Sequence, residues 1–157
     1  MRFVDLGAGG GLPSLPILMI RPSYEAVLLD AIRKRCAFLI WAAGLLGLVD
    51  RVDVWCGRAE EIGHEERARF GFDAVVARSF GPPAQTVECG APLLRPGGRL
   101  VISEPPEQRV WPAEPLASVG LVHEPDISVG VVVLRRDGDV DDRYPRRIKS
   151  QQRSPLF

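Results

Sequence analysis

The sequence predicts an α/β protein, built as a doubly wound and mostly parallel sheet with an antiparallel C-terminal strand. Three observations carry this. Short β-rich runs alternate with helical stretches along the chain, the order that crossover helices between parallel strands produce. A glycine cluster follows the first β-rich run directly and leads into a helix. The 157 residues, 46% hydrophobic and 25% charged, suffice for one core and not for two.

The first strand is Arg2 to Leu6, and its helix begins near Pro13, where a missing N–H costs nothing. Ala26 to Asp30 is a second strand with an apolar body and an acid at its tip, as a strand buried on both faces would be. Arg33 to Leu46 reads as a helix. Its basic opening, Arg33-Lys34-Arg35, opposes the helix dipole, so those charges are expected to answer to something outside the helix. Val52 to Cys56 and Phe72 to Ala77 are the third and fourth strands, with an exposed helix expected over Glu60 to Arg69 between them. A helix from Pro83 to Leu94 follows. Arg95-Pro96-Gly97-Gly98 is a turn signal, and Arg99 to Ser103 is a fifth strand. Glu104 to Pro115 holds four prolines and reads as an irregular connection. Leu121 to Glu124 and Val129 to Leu134 close the sheet as an antiparallel pair, and an acidic linker from residue 137 leads to a basic tail over 143–157.

Twenty basic against twenty acidic residues leave no net charge, which excludes a protein that coats nucleic acid by charge alone. The longest apolar run, Cys36 to Val49, is shorter than the roughly 20 residues a bilayer requires, and no export signal is read at the start. Neither a membrane partner nor a secreted protein is expected. Cys36, Cys56 and Cys89 are odd in number and widely spaced, so they read as three reduced thiols of a cytoplasmic protein and not as a disulfide or zinc framework.

The chemistry points to Asp5-Leu6-Gly7-Ala8-Gly9-Gly10-Gly11-Leu12-Pro13. Glycines between a strand and a helix permit positive φ and let a ligand approach the main chain. A P-loop is excluded because Leu12-Pro13 stands where Lys and Ser/Thr are needed. The dinucleotide fingerprint is disfavoured because Leu12 occupies the place of its third glycine. Asp30, at the tip of the neighbouring strand, is placed to accept hydrogen bonds from both hydroxyls of a ribose.

With these two features the chain resembles class I S-adenosylmethionine-dependent methyltransferases, and further motifs narrow the likeness. Gly9 to Pro16, Leu29-Asp30 with Arg33-Lys34-Arg35, Gly57 to Glu61, Phe72-Asp73 to Ala77-Arg78-Ser79, and Leu93 to Gly98 are similar to the small-subunit ribosomal RNA guanine-N7 methyltransferases, the glucose-inhibited division protein B family. The ending, Tyr144-Pro145-Arg146-Arg147 with Ser154-Pro155-Leu156-Phe157, is similar to that family too.

The resemblance implies a Rossmann-like methyltransferase domain over 1–136, with 137–157 as its linker and tail. It implies S-adenosylmethionine as cofactor and a guanine of 16S ribosomal RNA, free or in the small subunit, as substrate. Asp5, Gly7, Gly9, Gly11 and Leu12 would form the cofactor turn, Asp30 would hold the ribose, and Ala59 and Glu60 would meet the adenine. Arg78 would act at the methionine end and the target base. Arg146, Arg147, Lys149 and Arg153 would contact RNA phosphates.

Attack by the N7 lone pair on a sulfonium methyl needs no general base, so alignment alone, with a ceiling of roughly 7–11 kcal/mol, can carry the reaction. His64 and His123 are accordingly expected to be plain surface or core residues. Three departures from the family stand out. Little chain precedes the first strand, so apolar surface is expected to be covered by a second copy in a homodimer or to stay exposed and leave the protein marginally soluble. Ser103-Glu104 replaces a lysine and glycine, and an acid there would repel phosphate. Ile148-Lys149-Ser150 replaces a proline-glycine step. The alternatives are a methyltransferase of the same fold for a small molecule, and a truncated, non-catalytic cofactor- or RNA-binding module.

Overall fold

The computed structural model describes residues 1–105, 109–125 and 130–157. Pro106 and Val129, read above as part of the proline-rich connection and of the last strand, lie outside them. Seven strands, β1 (Arg2–Leu6), β2 (Glu25–Asp30), β3 (Val52–Cys56), β4 (Phe72–Ala77), β5 (Leu94–Ser103), β6 (Leu121–His123) and β7 (Val131–Arg136), form one sheet in the order β3-β2-β1-β4-β5-β7-β6. The pairs from β3 through β5 are parallel, and β7 alone runs against its neighbours β5 and β6. The expected mixed α/β sheet is therefore present. Strand order reverses between β1 and β4, and the crevice at such a switch, beyond the carboxyl ends of the strands, is where open α/β sheets bind ligands.

Alternation along β1 and β2 divides the core. Val4, Leu6, Val27 and Leu29 join Val75 and Ala77 under α3 (Ala59–Ile62), α4 (Pro83–Gly90) and α5 (Ala113–Ala117). Phe3, Ala26 and Leu28 face Leu15 and Leu18 of α1 (Ser14–Ile20) and Leu39, Ala42 and Ala43 of α2 (Arg33–Leu45). The covering helices are themselves apolar on the outside: Ile20, Ile40, Trp41 and Leu45 are 60–71% exposed on α1 and α2. Among the described residues no helix is long and apolar enough to cross a membrane.

Three elements differ from the sequence reading, each for a tertiary reason. The helix expected to run to Arg69 ends at Ile62, because the C-terminal segment docks there. A Cβ on Gly63 would lie 2.7 Å from the Pro145 ring. Arg69 donates to the carbonyls of Gly63 and Tyr144 and pairs with Asp142, so it ties the tail down where it was expected to solvate a helix. The helix from Pro83 stops at Gly90 and tightens into a 3₁₀ turn over Ala91–Leu93, so that β5 begins at Leu94. The Arg95-Pro96-Gly97-Gly98 turn is a bulge inside β5, with Gly97 at φ +76 and the pairing register with β4 shifting between Phe72 and Ala74.

The tail is part of the core. Tyr144, Pro145 and Gln151 are buried, and α6 (Ile148–Arg153) lies against α4 through a Cys89–Gln151 side-chain contact.

Candidate active site

The turn after β1 is bound to the end of β2. Gly7 and Ala8 donate to the Leu29 carbonyl at 2.8 and 3.0 Å, and Gly9 donates to Asp30 Oδ2 at 2.9 Å. Gly7, Gly9 and Gly11 all take positive φ. Two of the three are needed for close packing as well. A Cβ on Gly7 would stand 3.0 Å from the Phe80 ring, and one on Gly11 would stand 2.4 Å from Leu15 Cδ1, inside the helix packing.

Asp30 is 4% exposed. Its Oδ1 accepts from Ile32 N at 2.8 Å, and Arg35 Nη1 stands 3.6 Å from Oδ2. Arg35 thus answers to Asp30, as the misplaced basic start of α2 implied. Each carboxylate oxygen has one backbone donor, and a carboxylate offers about four acceptor positions. Capacity remains for the hydroxyls of a nucleoside.

Gly7, Asp30, Ile32, Gly57, Ala59, Glu60, Phe80 and Gln85 are among the walls of a cleft of about 240 Å³. Across Phe80 lies a second hollow of about 180 Å³, with Ser79, Phe80, Thr86, Ser103, Glu104 and Arg109 among its walls. Gln85 and Arg109 also border a groove of about 500 Å³, closed by Gln151, Gln152 and Phe157 of the tail. A donor in the first cleft and an acceptor in the second would be neighbours across one ring.

Of the expected cofactor residues, Gly7, Asp30, Ala59 and Glu60 meet on the first cleft. Asp5, Gly9, Gly11, Leu12 and Arg78 are not among the described residues that line it. Gly9 and Gly11 shape the turn, and Leu12 is 49% exposed. Arg78, expected at the target base, is exposed at the end of β4 and lines neither cleft; its charge acts on Asp5. Of the expected RNA contacts, Arg147, Lys149 and Arg153 are exposed. Arg146 is not free: its guanidinium makes a two-pronged pair with Glu88, which is 1% exposed, at 2.7 and 2.8 Å. Phe80 and Gln85 went unread in the sequence, and Glu104 was read as a repelling charge. Phe80 lies just past the end of β4 at the switch point and Glu104 directly follows its neighbour β5, and that place beyond the carboxyl ends of the strands is the signal that would have marked them.

His64 Nε2 donates to the Pro145 carbonyl at 2.7 Å and so holds the tail, while His123 closes β6 on the far edge of the sheet. Burial pushes the Cys36 and Cys89 thiols up to about 12, so both stay protonated at neutral pH.

Asp5 is 1% exposed and accepts from Ser14 Oγ at 2.5 Å. Burial outweighs that bond and the nearby Arg78 charge, and carries its carboxyl from 3.8 to about 6. Because the unfolded chain ionises first, the contribution of Asp5 to fold stability declines as pH rises from about 3.8 to about 6 and is level above. The full decline is about 3 kcal/mol. Asp5→Asn keeps an acceptor for Ser14 and should gain on the parent progressively over that window, then hold its advantage to pH 8. Denaturant unfolding across pH checks this, and a pH-independent difference would contradict it.

The family described as GidB, rRNA small subunit methyltransferase G, matches residues 1–106. The chain is similar to the ribosomal RNA small subunit methyltransferase G of Sorangium cellulosum, at 34% identity over 154 residues, 93% of this chain and 63% of that protein. The protein of the same name from Streptococcus pyogenes serotype M3 is 29% identical over 167 aligned positions, covering 99% of this chain and 70% of that one. The chain thus spans about two thirds of the length of these curated relatives. Among solved structures, the antibiotic-resistance methyltransferase Kmr superposes with a TM-score of 0.70 at 14% identity, covering 87% of this chain and 86% of that one. A SAM-dependent methyltransferase from Aquifex aeolicus gives 0.64 at 18%, covering 87% and 82%. These two likenesses establish the fold. Together with the glycine turn, the acid that anchors it and the cleft they share, the sequence match places the chain in the GidB family of small-subunit rRNA methyltransferases.

Proposed function

We infer that the chain is an S-adenosylmethionine-dependent methyltransferase acting on a guanine N7 of 16S ribosomal RNA. It works in the cytoplasm as one domain over 1–136 with 137–157 as its integral tail. The observation that carries this is the turn at Gly7 and Gly9, tied to Asp30 and open on a cleft that shares Phe80 with a second, polar hollow. The cofactor, when bound, supplies a methyl group already activated by its sulfonium. The chain's own residues hold and align. Asp30 accepts from the ribose hydroxyls, Ala59 and Glu60 border the adenine, and Phe80 separates donor from acceptor while keeping them adjacent. Since N7 attacks with a lone pair, no proton has to leave, and positioning accounts for the rate.

The test is incubation of the protein and methyl-labelled cofactor with unmodified 16S rRNA, both free and within the small subunit, followed by digestion to nucleosides. Label in 7-methylguanosine is expected. Label in another nucleoside overturns the guanine N7 assignment, and label in none with either substrate overturns the reading and leaves the small-molecule enzyme or the non-catalytic module.

Exposed Arg147, Lys149 and Arg153 are the tail's phosphate contacts in this reading. Replacing all three by glutamine should weaken RNA binding and flatten the slope of log affinity against log salt by about 2–3. Filter binding at several salt concentrations checks it; an unchanged slope would remove the tail from the RNA interface. A homodimer has the apolar face of α1 and α2 in its favour. Light scattering decides it, a monomeric mass rejecting the second copy.

A further inference from the structure

The geometry points to Glu104 as the residue that selects guanine, by accepting from its N1–H and exocyclic amine. This rests on the methyltransferase reading above and extends it to a specificity residue. Glu104 follows β5 directly and lines the 180 Å³ hollow. Its Oε2 accepts from Arg109 N at 3.2 Å, but Oε1 is buried with no hydrogen-bond partner among the described residues. A buried carboxylate oxygen without a donor is costly, and such an atom in a native fold asks for a reason. Oε1 has no surface open to the hollow as it stands, so a ligand that brings donors there would reach it as the carboxylate turns outward.

The base that suits two carboxylate acceptors is guanine, whose Watson–Crick edge carries N1–H and N2–H side by side. Adenine and cytosine present an unprotonated ring nitrogen there, which a carboxylate repels, and uracil flanks its single N–H with two carbonyls. The order of the strands also fits N7. From Asp30 on β2 the sheet runs through β1 and β4 to β5, so Glu104 is on the side of Phe80 away from the cofactor cleft. A guanine with N1 and N2 on Glu104 turns its opposite edge, which carries N7, back toward that cleft. The bound base must be unpaired, because its pairing edge is occupied.

The test uses the full chain saturated with S-adenosylhomocysteine, titrated with guanosine, inosine and adenosine 5′-monophosphates and followed by ligand-observed NMR. Inosine lacks the exocyclic amine alone. The parent protein should prefer the guanosine over the inosine nucleotide by about tenfold or more. Glu104→Gln should lose 10- to 100-fold for the guanosine nucleotide, bind both nucleotides equally, and keep the parent's affinity for S-adenosylhomocysteine, which shows that it is folded. Equal binding of the two nucleotides by the parent, or an unchanged preference in Glu104→Gln, overturns the assignment. Failure of the ribosomal RNA assay alone would strike the parent reading and leave this nucleotide preference standing.

Discussion

Asp30→Ala should weaken S-adenosylhomocysteine binding by roughly 10- to 150-fold, about 1.5–3 kcal/mol, the usual worth of hydrogen bonds to a charged acceptor. The carboxylate does two things at once. On the cleft side it is the acceptor for ribose hydroxyls, and behind it Oδ2 and Oδ1 hold the N–H groups of Gly9 and Ile32. Truncation removes the ligand contact and also frees the glycine turn from β2. Asp30→Asn separates these effects. It keeps one acceptor and the shape, so the turn should survive while affinity falls less. Titration calorimetry on both variants checks the order; an affinity for Asp30→Ala equal to the parent's would contradict the assignment.

Arg146→Ala should lower stability by about 3–5 kcal/mol, because it leaves the Glu88 carboxylate buried without its charge partner. For a domain of this size that is a fall of roughly 6–20 °C in melting temperature. Arg146→Lys should recover little, since Arg146 donates from its backbone and two guanidinium nitrogens to one carboxylate, and an ammonium cannot reproduce the fork. The double variant Glu88→Gln, Arg146→Gln carries no orphaned charge and should be more stable than Arg146→Ala. Thermal unfolding of the three proteins checks the order, and an Arg146→Ala protein within 1 kcal/mol of the parent would show that the pair does not hold the tail.

Most strands of this fold were legible because they are buried apolar runs bounded by glycine or charge, and half-exposed β3 was legible from its alternation of apolar and polar residues. Arg2–Leu6, Val52–Cys56 and Phe72–Ala77 agree with the sequence reading residue for residue. The glycine turn and Asp30 were legible as well, since their spacing is local to one β-α-β unit. What sequence missed are pairings between distant segments. Nothing near Arg146 indicates that Glu88 waits for it, so a cation in a basic tail reads as an RNA contact. Nothing near Glu65 indicates that Pro145 will cross at Gly63 and end the helix. Arg78 was placed at the target base by the family resemblance, yet the hollow's walls come from Phe80, one strand end, and Glu104, the next. The acid at Glu104 broke the expected pattern, and the same residue carries the oxygen that has no hydrogen-bond partner among the described residues.

The crystal structure of the chain with S-adenosylhomocysteine tests the account most directly. The ribose hydroxyls are predicted within hydrogen-bond distance of Asp30, the adenine beside Ala59 and Glu60, and the sulfur close to Phe80. A ligand seated elsewhere at saturating concentration, with this cleft filled by the protein's own side chains, would contradict it.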